Sequence, residues 1–179
     1  MRASWLLPIL ITISLFAAWD SDRKDRNEKD KQEKGRHYEE GGRFSFVPPD
    51  GWQVVQLPGM KYGVFSGPTA NGFAPNINVL DEAYAGSLDD YVTLSIRNLR
   101  VMFPQFLKLS QEDLKLDSGL PAVRVVGRNS MNNMEMEQTM YFVKRSSKMF
   151  VITGSKLASD GRNLANEFEK CARSFREER

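Results

Sequence analysis

The second half of this 179-residue chain contains strand-like segments that follow one another closely, and this spacing restricts the fold. Residues 120–128, 134–144 and 148–155 each alternate apolar and polar side chains, as half-buried strands do. Only short turns separate them, and short turns join strands that run antiparallel. Residues 120–155 are therefore expected to form an antiparallel meander, and a more loosely patterned strand over residues 106–116 precedes it.

Four shorter strands are predicted earlier in the chain, at residues 44–47, 52–55, 62–66 and 74–82. Proline and glycine mark the turns that follow the first two, because proline fixes φ and glycine accepts a positive φ. In the fourth strand Ile77 and Val79 point to one side of the sheet. Asn76, Asn78 and Leu80 point to the other side.

Two amphipathic helices are predicted. Ser87 begins the first, because its hydroxyl can accept a hydrogen bond from a free backbone N–H and Asp90 follows three residues later. Pro104 ends it. The second helix starts near Ser159 or Asp160 and carries an apolar stripe at helical spacing. The stripe consists of Leu164, Phe168, Cys171, Ala172 and Phe175.

Eight strands and two helices with one apolar stripe each predict an α+β domain, in which helices pack on a central antiparallel sheet. The domain is expected to span residues 44–176. A domain of this size can form one hydrophobic core without disulfides or a structural metal. The single Cys and single His agree with this, because they exclude an intramolecular disulfide and two-histidine metal motifs.

The N-terminus has the pattern of an export signal. Residues 1–18 contain one charge, an apolar run of 14 residues and small residues at its end. A membrane span needs about 17–25 apolar residues, so a cleaved signal is favoured over a retained N-terminal anchor. Trp19 stands where a bacterial lipoprotein box has its lipid-bearing Cys. Because Trp has no thiol, no lipidation is expected; a lost lipobox and an imperfect ordinary cleavage site both remain open.

A charged segment follows the signal. Residues 19–43 contain eight basic and eight acidic residues and little apolar bulk. Such a segment cannot bury enough surface to offset its ordering entropy, so it is predicted to be a disordered tether. A helix stabilised by ion pairs four residues apart is the alternative. His37 lies in this segment and is expected to be solvated.

The folded region resembles a known family in two short motifs and in its order of elements. F-S-F-V-P-P-D-G-W at residues 44–52 is similar to the start of the PsbP-like and DcrB-like envelope proteins. P-N-I-N-V at residues 75–79 resembles the strand before their first long helix. The resemblance implies an α-β-α sandwich and a non-enzymatic accessory role without a cofactor. It also implies a location in the bacterial periplasm or on a membrane-tethered envelope face, or in the thylakoid lumen of a photosynthetic host.

No catalytic residues are predicted. The only His lies outside the domain, so a Ser-His-Asp arrangement is excluded. Cys171 lies on the apolar stripe of the second helix and is expected to be a core residue, because a reactive thiol needs an accessible site that stabilises the thiolate. Glu135 and Glu137 share a strand face, where solvated sheet surface is favoured over an acid–base pair. A hydrolase that works without histidine is a third hypothesis, and no constellation in the sequence supports it.

Two weak candidate binding sites remain. Met131, Met134 and Met136 resemble the thioether clusters that bind copper(I). The favoured interpretation is that Met134, Met136 and Met140 fill the core, because Met is a common gap-filling residue. Asn76, Asn78 and Asp81, with Glu82 beside them, offer oxygen ligands, but without the calcium-binding EF-hand pattern. The candidate binding residues are therefore Asn76, Asn78 and Asp81, and copper handling by Met131, Met134 and Met136 is the alternative function.

Nucleic-acid binding is excluded by charge. The net charge is +2, and residues 44–179 contain 16 basic and 15 acidic residues, which gives no basic surface for phosphates. The leading hypothesis is an exported accessory module that binds another envelope or membrane protein through a sheet edge or a sheet–helix cleft.

Overall fold

A computed structural model describes residues 35–131 and 133–178. The predicted export signal at residues 1–18, Trp19 and the larger part of the predicted tether lie outside the described residues. Within residues 35–131 and 133–178, no helix has the length and apolar composition needed to cross a membrane.

All eight predicted strands and both predicted helices are present, and two short strands are added at the ends. The elements in chain order are β1 (His37–Glu39), β2 (Phe44–Phe46), β3 (Gln53–Val55), β4 (Val64–Ser66), β5 (Asn76–Ala83), α1 (Leu88–Met102), β6 (Leu107–Lys115), β7 (Pro121–Met131), β8 (Met134–Arg145), β9 (Lys148–Leu157), α2 (Ala165–Arg173) and β10 (Arg176–Glu177).

The central sheet has seven strands in the order β3-β4-β5-β9-β8-β7-β6, and every neighbouring pair is antiparallel. The predicted meander is confirmed and extends over β6, β7, β8 and β9. Because β9 returns to pair with β5, the meander completes the sheet that the first strands begin. A second sheet of three strands has the order β1-β2-β10 and joins the two ends of the described chain.

The central sheet is covered on both faces. Tyr141 and Val143 of β8 lie in the core beneath α2, together with Phe44 and Phe46 of the small sheet. Phe142, between them in sequence, lies in a second core beneath α1. We call these two sides of the sheet the α2 face and the α1 face. This arrangement is the predicted α+β sandwich, with a helix on each side of an antiparallel sheet.

Two glycines let aromatic rings lie directly against the sheet, one on each face. A Cβ at Gly154 of β9 would overlap the ring of Phe168 from α2. A Cβ at Gly127 of β7 would overlap the ring of Phe106, which belongs to the core beneath α1. The missing side chains therefore set how closely each layer approaches the sheet.

The first helix begins as predicted, whereas the second begins later. The Ser87 hydroxyl accepts a hydrogen bond from the Asp90 backbone N–H at 3.0 Å. The predicted start of α2 near Ser159 or Asp160 is wrong, because α2 begins at Ala165. The Asp160 carboxylate instead accepts hydrogen bonds from the backbone and guanidinium of Arg162, which stabilise a local turn. All five residues of the predicted apolar stripe are nevertheless buried, and Leu164 and Phe175 flank α2.

The folded region also starts earlier than predicted. His37 and its neighbours form β1, which pairs with β2 inside the segment assigned to the tether. The His37 ring centroid lies 4.8 Å from that of Phe65 and 5.7 Å from that of Phe46. The predicted boundary at residue 44 and the predicted solvated state of His37 are therefore wrong. These aromatic contacts provide the apolar burial that the composition of the segment did not suggest.

A buried arginine joins β1 to the other end of the domain. Arg36 donates hydrogen bonds to the Ser45 hydroxyl, at 3.2 Å, and to the Ser174 carbonyl, at 2.9 Å. The Ser45 hydroxyl in turn donates to the Glu178 carboxylate. Charged hydrogen bonds are stronger than neutral ones, especially where water is excluded. Arg36 therefore connects residues that are far apart in the chain.

We expect Arg36→Ala to lower the free energy of unfolding by about 2 kcal/mol or more, because buried acceptors lose a charged donor. Arg97→Ala, at an exposed position on α1, is the matched control and should change stability by less than about 0.5 kcal/mol. Urea denaturation followed by tryptophan fluorescence measures both. Equal stabilities for the two variants would contradict the role of Arg36.

Candidate functional site

The most enclosed charged group among the predicted candidates is Asp81, near the end of β5. Its side chain is only 3% exposed and contacts two lysines and a tyrosine. Lys61 donates to Oδ1, Lys148 donates to Oδ2 at 3.0 Å, and the Tyr62 hydroxyl donates to Oδ1 at 2.8 Å. We call these four residues the Asp81 cluster.

The Asp81 cluster keeps its carboxylate ionised. Burial by itself would raise the pKa of Asp81, but hydrogen bonds from Lys61, Tyr62 and Lys148 outweigh it and hold the pKa below its ordinary value of 3.8. The same carboxylate raises the pKa of Lys61. A carboxylate with a lowered pKa is a poor general base at neutral pH, so the cluster has the properties of a structural ion-pair site.

The structure separates the three candidate oxygen ligands of β5. Val79 belongs to the core beneath α2, whereas Leu80 packs in the core beneath α1. Strand alternation therefore places Asp81 on the α2 face and both Asn76 and Asn78 on the α1 face. The three candidates do not form one site. Among residues 35–131 and 133–178, no group of three or more His, Cys, Asp or Glu side chains could hold a metal ion.

Asn76 belongs instead to a row of polar residues across the sheet. It lies opposite Ser155 of β9, which lies opposite Gln138 of β8. The Gln138 amide donates a hydrogen bond to the Ser155 hydroxyl at 3.3 Å. Gln138 and Ser155 are buried and Asn76 is partly buried, so most of this row is shielded from solvent.

The methionines also lie largely in packing. Met140 is part of the core beneath α1, and Met136 is fully buried with Phe73 and Leu157. The predicted core role is confirmed for these two. Met131 and Met134 are register partners at the end of the β7–β8 pair. Copper(I) binding by Met131, Met134 and Met136 stays a prediction, and it would need the buried Met136 sulfur to leave its apolar neighbours.

The remaining candidate residues are Cys171, Glu135 and Glu137. Cys171 is buried as predicted, and burial raises the pKa of its thiol, which opposes formation of the reactive thiolate. The Glu137 carboxylate accepts hydrogen bonds from Arg128, the nearer at 2.9 Å, and lies 3.7 Å from the Lys156 ammonium. Glu135, two residues away, is exposed.

The least buried element of the domain is β6, one of the two edge strands of the central sheet. All of its nine residues except Leu114 are exposed. Within the described residues it pairs only with β7, so its other edge presents backbone N–H and C=O groups that no neighbouring strand uses. Leu107 and Leu109 are 57% and 44% exposed, and Val101 of α1 is 76% exposed. We call the free side of this strand the β6 edge.

The opposite end of the sheet is different. The edge strand there, β3, has three residues, which offers much less backbone for pairing. The predicted binding surface is a sheet edge or a sheet–helix cleft, and the sequence pattern does not indicate which of the two sheet edges it would be. The available signal was the scarcity of apolar residues over residues 107–115, which is typical of a strand with little core contact.

The structure thus defines an α+β sandwich in which Asp81 and Glu137 form ion pairs, Cys171 and Met136 are buried, and the long edge strand β6 is exposed. Its fold is of the PsbP type, as the sequence resemblance implied; the likeness to DcrB-like proteins stays a prediction. No protein-family model and no curated protein sequence matches the chain.

Three solved structures show the fold. A cyanobacterial PsbP from Synechocystis is similar with a TM-score of 0.62 and 16% identity, over 84% of this chain and 98% of that one. LpqN, involved in cell envelope biogenesis of Mycobacterium tuberculosis, has a TM-score of 0.58 and 15% identity, over 74% and 81%. A Pseudomonas aeruginosa protein of unknown function has a TM-score of 0.54 and 14% identity, over 66% and 92%.

We expect Asp81→Asn to lower the free energy of unfolding by about 1–2 kcal/mol at pH 7, a modest loss because both lysines are partly exposed. The pKa of Asp81 is lower in the folded state than its ordinary value of 3.8. Its contribution is therefore present above that value and lost as the pH falls through the folded pKa. Urea denaturation at several pH values should show the difference from the parent narrowing below pH 3.8.

The matched control for this prediction is Asp50→Asn, at an exposed turn position. It should show little change in stability at either pH. A loss for Asp81→Asn that stayed constant down to the lowest pH would contradict the charge argument.

Proposed function

We propose that this protein is an exported, non-enzymatic accessory module that binds another protein of the cell envelope or its membrane, and that the β6 edge is the binding surface. The observation that carries the proposal is the exposure of this long strand, including its side chains Leu107 and Leu109. A long, exposed edge strand is a template for pairing with another chain. The lysines of β6 and its register shift between Lys108 and Ser110 disfavour unselective pairing, so this edge fits a partner of matching charge and register.

The expected mode of binding is strand addition. An extended segment of the partner would pair its backbone with β6, and the exposed leucines would contact its side chains. Backbone hydrogen bonds supply affinity in this mode, and the side chains supply specificity. This mode of binding does not require a preformed pocket on this protein.

The fate of the reactive groups supports a non-enzymatic role. Cys171 is enclosed in the core, Asp81 is held ionised by its cluster, and Glu137 is paired with Arg128. Catalytic groups generally need pKa values shifted towards their operating pH, and these arrangements act in the opposite direction for the thiol and for Asp81.

Two further points support an envelope location. The similar structures include a cyanobacterial PsbP and LpqN, the latter involved in cell envelope biogenesis. The sequence adds an export-signal pattern at residues 1–18 and a charged segment between it and the folded domain. A signal or anchor followed by a charged spacer would hold the domain away from a membrane surface.

The binding proposal is tested by crosslinking and affinity purification of the tagged protein from membranes. Leu107→Lys combined with Leu109→Lys should reduce recovery of the crosslinked partner about tenfold, because apolar contacts at the pairing edge are replaced by charges. Val54→Lys is the matched control, since Val54 is 46% exposed on the opposite edge strand β3. Equal recovery with all three proteins would argue against the β6 edge.

The export proposal is tested by intact-mass and N-terminal analysis of the protein from its own cells, fraction by fraction. Cleavage predicts a form that begins near Trp19 in the soluble envelope fraction, with no lipid mass. A retained anchor predicts the full-length chain in membranes only. A full-length chain found only in the cytosol would contradict export.

A further inference from the structure

We propose that, in the absence of the envelope partner, the β6 edge pairs with the β6 edge of a second copy of this chain. The two strands would run antiparallel about a twofold axis and join two central sheets into one. The inference rests on the proposed function, because it takes the β6 edge as an interaction surface, and it names one occupant for that edge.

The pairing of β6 with β7 determines which β6 side chains share a face. Asp113 lies opposite Val123, whose side chain is in the core beneath α1. Leu114 lies opposite Ala122, in the core beneath α2. The register shifts between Lys108 and Ser110, so Leu109 is an extra, bulged residue.

Because Leu109 is an extra residue, the side chains before and after it no longer follow simple alternation, and this decides which β6 side chains a second strand would meet on each face. Lys108 lies opposite Gly127 of β7, in line with Val123 and Val125, so it points to the α1 face together with Asp113. Leu107 lies opposite Arg128 and points to the α2 face together with Leu114. Residues that face each other across antiparallel strands must point to the same side. Lys108 with Asp113 and Leu107 with Leu114 meet this condition.

A twofold axis at Gln111 brings both pairs together at once. When the bulged Leu109 is passed over, Lys108 and Asp113 are each two ladder positions from Gln111, on opposite sides. Lys108 of one copy would then lie opposite Asp113 of the second copy, and the symmetry gives this ion pair twice. Opposite charges that face each other across strands stabilise the pairing.

The same axis aligns apolar side chains on the other face. Leu107 and Leu114 are each three ladder positions from Gln111. Leu107 of one copy would contact Leu114 of the second, again twice. This contact would cover Leu107, one of the most exposed large apolar side chains of the described residues.

Neighbouring registers are less favourable. Moving the axis to Glu112 would place the two Glu112 side chains opposite each other and Lys108 opposite Lys115. Moving it to Ser110 would place Leu107 opposite Glu112. Lysine on an edge strand normally discourages pairing, because like charges meet. On β6, Lys108 faces an acidic residue only when the axis lies at Gln111, so the charges disfavour the neighbouring registers and favour this one.

Charge substitutions in the intact protein, purified from its own cells, test the register. Light scattering should show a concentration-dependent dimer for the parent. Lys108→Asp and Asp113→Lys should each weaken the dimer about tenfold or more, because each places like charges opposite each other twice. The double variant, Lys108→Asp with Asp113→Lys, should restore it.

A mixture of the two single variants provides a stricter control. Each variant repels itself, but one chain of each restores both opposite-charge pairs, so the mixture should form a heterodimer. Urea denaturation controls for folding, and stability should barely change, because among the described residues these substitutions remove a hydrogen bond between the exposed Lys108 and Gln111, at 3.0 Å. A mixture that stays monomeric while the parent dimerises would overturn the register.

Disulfide crosslinking tests the axis itself. Gln111→Cys places two thiols on residues that face each other across strands, within the separation of about 4.4–6.8 Å between Cα atoms that a disulfide needs. The matched control is Ser110→Cys, also exposed, which would face Glu112 of the second copy. The native Cys171 is buried and should not compete. Crosslinking as efficient at residue 110 as at 111 would contradict the proposal.

A parent protein that stays monomeric at high micromolar concentration would overturn the dimer. Hydrogen exchange then identifies what covers the strand. Slow exchange of β6 amides in a monomer would mean that another part of the same chain pairs there, and fast exchange would mean an open edge. If the parent is monomeric with an open β6 edge, and the Leu107→Lys, Leu109→Lys variant still recovers less membrane partner, only the dimer proposal is contradicted. If that variant recovers as much partner as the parent, the proposed function is contradicted instead.

Discussion

Burial of both faces of β8 and β9 is the constraint on which the rest of the fold depends. Tyr141, Phe142 and Val143 are consecutive and all buried, as are Phe150, Val151 and Ile152. A strand with apolar side chains on both sides is stable only when both sides are covered. Helix α1 covers one side of the sheet, and α2 together with the small sheet covers the other. The aromatic contacts at Gly127 and Gly154 fix how closely each of these layers approaches the central sheet.

The same constraint explains why the two ends of the sheet differ. Apolar burial is concentrated on the central strands, and it decreases towards β6, where only Leu114 retains substantial contact with the core. The outermost strand is therefore held mainly by its pairing with β7. Its backbone and leucines are exposed on one side of the domain. Nearer the core, the ionisable side chains Asp81 and Arg36 hold elements together through ion pairs and hydrogen bonds.

Much of the architecture was predictable from the sequence, and the two errors have different causes, one a long-range contact and the other a local one. Ser87 and Asp90 specify the start of α1 locally, and short turns specify the meander, so both predictions were confirmed. The failed predictions concern β1 and the start of α2. β1 depends on contacts of His37 with Phe46 and Phe65, and the turn before α2 depends on Asp160 binding Arg162. The local patterns did not indicate these contacts.

The sequence by itself determined most strand and helix segments, the antiparallel order of the meander and which β5 residues share a side, because these follow from alternation and turn length over a few residues. Only the tertiary structure decided which layer of the sandwich each side of β5 faces, and that β6 is the exposed edge. The physical reason is that strand order and burial depend on pairings between distant segments, such as β5 with β9. Such pairings are set by the packing of the whole chain, whereas local periodicity gives only each segment's own preference.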